Sequence, residues 1–97
     1  MHVAALAVEL HLPDVHSLKE KRAVLRPIID GAKHRFSVSA AEVDHQDAWQ
    51  RATVAVAVVS GKQAKVHEVI DGVERFIWSF PEVEVIDSTV RWLEVDQ

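Results

Sequence analysis

Ninety-seven residues, 48% of them hydrophobic, make a single domain over residues 1–97 with one modest core. Eleven Lys and Arg against fifteen Asp and Glu give a net charge of −4, which argues against a simple polybasic nucleic-acid binder or membrane-surface protein. The absence of Cys excludes disulfide scaffolds, thiolate zinc sites and thiol chemistry.

Residues 2–12 alternate, with His2, Ala4, Leu6, Val8, Leu10 and Leu12 on one side. This period of two predicts a strand, which Pro13 and Asp14 end. Ser17 opens a helix, because Ser17 and Glu20 have the S-x-x-E spacing of a capping box. Leu18, Leu25, Ile28, Ile29, Ala32 and Phe36 continue it at helical spacing. Pro27 and Gly31 are discordant inside it. Pro27 removes the hydrogen bond to the Ala23 carbonyl and predicts a kink. Residues 37–43 predict a short second strand, and residues 44–47 a polar connection. Residues 50–60, Val alternating with Ala, predict a strong third strand that Gly61 ends. Val66, Val69, Ile70, Val73, Ile77 and Phe80 repeat at i, i+3, i+4, i+7, so a second amphipathic helix is expected over 62–80, blocked by Pro81. Residues 83–95 alternate again and predict a last strand, bent near Asp87 and Ser88.

The order is β-α-β-β-α-β. With right-handed crossovers, both helices fall on one face of a four-stranded antiparallel sheet. The fold class is therefore α+β, a ferredoxin-like βαββαβ sandwich. No apolar run approaches the roughly 18–20 residues that span a bilayer, and the start reads as no export signal, so no membrane partner and a cytoplasmic location are expected.

The net charge hides an asymmetry. Residues 17–36 carry six cations (Lys19, Lys21, Arg22, Arg26, Lys33 and Arg35) against Glu20 and Asp30, a local charge of +4. The remainder, with five cations against thirteen acids, is at −8. Lys19, Arg22, Arg26 and Lys33 share one side of the helix, with Asp30 interrupting the row. Such a face is either a solvated surface, partly paired with Glu68, Asp71 and Glu74 of the second helix, or a strip for RNA phosphate. The candidate RNA- or anion-binding residues are Lys19, Lys21, Arg22, Arg26 and Lys33.

The sheet's open face is expected to show Val3, Ala5, Ala7, Glu9 and His11 beside Thr53, Ala55, Ala57 and Val59. This smooth surface lacks the aromatics of a base-stacking platform and suits a partner such as a second copy of the chain. The polar connection and its flanks (Glu42, Asp44, His45, Asp47, Trp49 and Arg51) form a candidate partner loop. There Trp49 is expected to staple the loop to the sheet edge, with Arg51 pairing Glu42 or Asp44. The other reading is an exposed recognition loop.

Catalytic chemistry finds little support. The three glycines are far apart and build no phosphate loop. Without Asn, the chain lacks the water-orienting partner that acylphosphatase-type chemistry would need beside Arg22. Six histidines form no HxH, HxxH or HExxH, and Asp44, His45 and Asp47 read first as turn residues bonding locally. No enzyme activity, cofactor or metal site is expected.

The S-L-K-E-K-R stretch from Ser17 to Arg22, the run Phe36-Ser37-Val38-Ser39 with Ala41 and Glu42, and the loop from Asp44 to Ala52 followed by an Ala/Val strand together resemble the YlxP-like family of small bacterial proteins (DUF503). The resemblance covers nearly the whole chain. Its family-like positions are Ser17, Leu18, Lys19, Lys21, Arg22, Phe36, Ser39, Glu42, Asp47, Trp49 and Ala52. It implies the same ferredoxin-like fold. The family's genes often lie beside those of a translation initiation factor and ribosome-binding factor A, which implies a link to translation or ribosome maturation. The expectation is a non-enzymatic accessory factor for structured RNA or the small ribosomal subunit. The alternative is a homodimeric interaction module that joins through the open sheet face.

Overall fold

In a computed structural model, residues 1–93 are described. β1 (His2–His11) follows the alternation of its sequence, burying Ala4, Leu6, Val8 and Leu10 on one side. β3 (Arg51–Ser60) does the same with Ala52, Val54, Val56 and Val58. The two strands pair antiparallel in the centre of the sheet. β2 (Ser39–Asp44) flanks β3 and β4 (Glu84–Leu93) flanks β1, also antiparallel, giving the order β2-β3-β1-β4. This is the expected ferredoxin-like α+β topology.

α1 (Leu18–Phe36) and α2 (Gln63–Trp78) cover one face. Each buries a stripe at i, i+4, i+7, i+11: Lys21, Leu25, Ile28 and Ala32 from α1, and Val66, Ile70, Val73 and Ile77 from α2. One lysine thus occupies a core position. Ser17 caps α1 by accepting from the Glu20 N–H at 3.1 Å. The Glu20 carboxylate returns the contact to the N–H of His16, at 2.8 Å, one residue before the usual capping-box partner.

The expected kink is absent, because α1 runs unbroken through Pro27. Ala23 and Pro27 both face solvent, so water can take the carbonyl that proline leaves free. The second strand starts later than expected, at Ser39. Ser37 adopts the left-handed conformation (φ 54°) and donates its N–H to the Lys33 carbonyl at 3.1 Å, so it closes α1 instead of extending β2. The expected bend of the last strand is a bulge. Glu9 pairs with Asp87 and Leu10 with Val85, leaving Ile86 unpaired. Residues 94 and 95 of the expected last strand lie outside the described residues. None of the described helices is long and apolar enough to cross a membrane.

Candidate functional site

Three surfaces carry the residues singled out by sequence. The first is the α1 strip. Lys19, Arg22, Arg26 and Lys33 are exposed, and none forms an ion pair with a described residue. The expected partners on α2 do not reach them. Glu68 is held instead by Lys65, at 3.6 Å on its own helix. Arg22 and Arg26 border a shallow cavity of about 220 Å³, with Leu25 and Ile29 as its apolar part and Asp30 and Glu42 on its walls.

Lys21 does not belong to this strip. It is only 2% exposed and points inward. Its Nζ donates to the carbonyls of His45 at 2.6 Å and Ala48 at 2.7 Å. Glu42 Oε2 lies 2.7 Å away, buried and off the hydrogen-bond direction, so this third contact is mainly one of charge. A buried ammonium must be matched in this way, because an unpaired one costs several kcal/mol. The helix periodicity places position 21 on the core side, and no phosphate can reach it there. Lys21 is a clamp on the β2–β3 loop, the candidate partner loop.

That loop is the second surface. The clamp holds a tight turn in which Ala48 N–H donates to the His45 carbonyl at 3.0 Å. His45 takes a left-handed φ of 63°, and its N–H donates to Asp44 Oδ1 at 2.8 Å. The Gln50 side-chain amide donates to the carbonyls of Pro13 (3.3 Å) and Val15 (3.0 Å), tying the loop to the connection between β1 and α1. Trp49 does not staple the loop to the sheet edge. It stands 52% exposed, and Asp47 is exposed beside it.

Arg51 pairs with neither Glu42 nor Asp44. Its guanidinium donates to Glu9 Oε2 at 2.9 Å, on the open face. Glu9 Oε1 accepts from the Thr53 hydroxyl at 2.5 Å, and His45 Nε2 is 3.5 Å from the same carboxylate. The Thr53 hydrogen bond first, then that of Arg51, hold the Glu9 carboxyl below the ordinary range. The sequence reading missed this role of Glu9. Its signal was strand register, since Glu9 faces Thr53 and His11 faces Arg51 across the central pair. Among the described residues, no group of three or more His, Asp or Glu is placed to hold a metal ion.

The sequence pattern of the DUF503 family, described as "Protein of unknown function", matches residues 3–90. The chain belongs to the DUF503 family. A relative from Bacillus subtilis (strain 168), named "Uncharacterized protein YlxP", is 40% identical over 79 residues, covering 81% of this chain and 86% of its own length. The DUF503 match includes the α1 strip, the Lys21 clamp and the whole loop.

The third surface of this DUF503 domain is the open sheet face. Ala5 lies opposite Ala57 and Ala7 opposite Ala55, with Ala41 beyond Ala55 on β2. Thr53 is buried there by its bond to Glu9. No aromatic ring occupies these positions. Trp92, on β4, turns to the helix side, its ring centroid 4.7 Å from that of His67.

Proposed function

We propose that this DUF503 protein is a non-enzymatic accessory factor that binds structured RNA, including that of the small ribosomal subunit, through α1. The carrying observation is that Lys19, Arg22, Arg26 and Lys33 all face solvent without a described ion-pair partner. At 1.5 Å per residue the row from Lys19 to Lys33 is about 21 Å long, enough to meet several successive phosphates. Lys21, fixed inside, supports this surface by setting the neighbouring loop, where Trp49 stands free to stack or pack on a partner. Fluorescence anisotropy with a labelled ribosomal hairpin tests the reading. A Lys19→Glu/Arg22→Glu/Arg26→Glu variant should lose at least tenfold in affinity while Lys62→Glu, outside the strip, loses little. Equal binding by wild type and the triple variant would remove α1 as the contact surface.

A homodimer through the open face is the second reading. It is favoured by the run Ala5, Ala41, Ala55 and Ala57 beside Val59, which is 65% exposed. Ala57→Glu would place a charge at the centre of such an interface. Light scattering should then show a wild-type dimer and a monomeric variant; a wild-type monomer at tens of micromolar would end this reading.

A further inference from the structure

The glycines that interrupt the two helices solve one packing problem. A Cβ on Gly31 would stand 2.5 Å from Phe76 Cζ, and a Cβ on Gly72 would stand 2.7 Å from Phe36 Cε1. Each helix therefore receives the other's ring in a notch that only glycine leaves open. The two rings meet edge to face, 5.9 Å between centroids.

Beside this crossing the helices leave a groove. One part, of about 390 Å³, is lined by Arg35, Phe36, Lys65, Glu68, Gly72 and Arg75, among others. The adjoining part, of about 330 Å³, shares Arg35, Phe36, Gly72 and Arg75 and reaches Phe76. Arg35 and Arg75 come from different helices and border both parts. Neither forms an ion pair with a described residue, whereas Lys65 and Glu68 face each other at 3.6 Å. The Arg35 guanidinium lies over the Phe76 ring, 5.6 Å from its centroid. That contact orients the side chain without using its five N–H donors. α2 begins without a side-chain cap or a first-turn acid, and Lys65 of its first turn borders the groove.

We propose that the groove binds the terminal phosphate of a mononucleotide-sized ligand, with Arg35 and Arg75 clamping the phosphoryl oxygens. Two guanidiniums match the charge of a phosphate monoester, about −1.5 to −2 at neutral pH, whereas a single carboxylate would leave one of them unmatched. The volume falls at the small end of ligand sites, of order 300–1,000 Å³, and the Phe36 and Phe76 rings offer the apolar wall a nucleoside needs. The site lies away from the Lys19, Arg22 and Arg26 part of the strip, with Lys33 the strip residue next to it. Arg35 lies 13 residues beyond Arg22, about 20 Å along the helix, and lines the groove with Gly72 and Arg75 of α2.

The test is NMR titration of the whole protein with adenosine 5′-monophosphate, inorganic phosphate and adenosine. The monophosphate should shift the Gly72 and Phe36 amides with a submillimolar dissociation constant; phosphate should bind more weakly, and adenosine should not saturate. Arg35→Met/Arg75→Met should weaken the monophosphate at least tenfold, with Arg35→Lys/Arg75→Lys intermediate. The Lys19→Glu/Arg22→Glu/Arg26→Glu variant should bind it as wild type does, which separates failure of this site from failure of the strip. Competition by a 5′-phosphorylated hexanucleotide, and not by its 5′-hydroxyl form, would support the clamp and assign its phosphate to an RNA end. Absence of shifts at Gly72 and Phe36, or equal shifts in the Met variant, would overturn the proposal.

Discussion

Lys21 shows how one side chain can be misassigned by its charge. It lies between Lys19 and Arg22 in sequence, yet its ammonium serves two loop carbonyls and Glu42. Lys21→Met keeps the apolar stem and deletes those contacts, leaving a buried carboxylate oxygen and two carbonyls to find water. The expected cost is about 3 kcal/mol in urea unfolding, with amide exchange across residues 44–49 accelerated first. A loss below half a kcal/mol would mean that the clamp does not hold the loop. Glu9 makes a prediction of pH dependence. Its folded carboxyl titrates below its unfolded value because Thr53 and Arg51 donate to the ionised form. Its contribution to stability is therefore full above the ordinary glutamate range and is lost as pH falls through the lower, folded value. Glu9→Gln should be less stable than wild type at pH 7, and the difference should shrink as acid is added. A gap that widens below pH 4 would contradict the network's role.

The helices carry the next lesson. Their apolar period was legible, and so was the cap at Ser17, because both are local signals. Gly31 and Pro27 were legible only as anomalies. Their reasons are non-local: Gly31 makes room for a ring on α2, and Pro27 sits on the solvent side, where its missing bond is cheap. The same limit hid the Glu9 network and the partner of Arg51, which depend on β1–β3 register. Gly31→Ala tests the notch. Alanine improves helix propensity by about 1 kcal/mol, but the new methyl displaces Phe76 at a cost of about 1–3 kcal/mol. Thermal unfolding should show net destabilisation, and Gly31→Ala/Phe76→Leu should recover part of it. A Gly31→Ala protein more stable than wild type would show the ring to be free to move.

At the scale of the whole molecule, the −4 total is the sum of a +4 helix and a −8 remainder, and folding trims that division by pairing Lys21 with Glu42. One of the six cations of α1, Lys21, is withdrawn into the core, while Lys19, Arg22, Arg26 and Lys33 stay on the surface as a row. The acidic remainder discourages non-specific adhesion to nucleic acid elsewhere on the molecule, so the proposed contact with RNA would be directed to one side. The topology itself was legible, because six alternating or helical segments in this order leave few ways to build one core. The division of labour between Lys21 and its neighbours became visible only when the helix was placed against the β2–β3 loop. The most direct measurement is the salt dependence of hairpin binding for the wild type and the Lys19→Glu/Arg22→Glu/Arg26→Glu variant. The slope of log affinity against log salt should fall in magnitude by about two to three in the variant, one unit or slightly less for each phosphate contact removed. The same slope in both proteins would contradict the assignment of α1 as the RNA-binding surface.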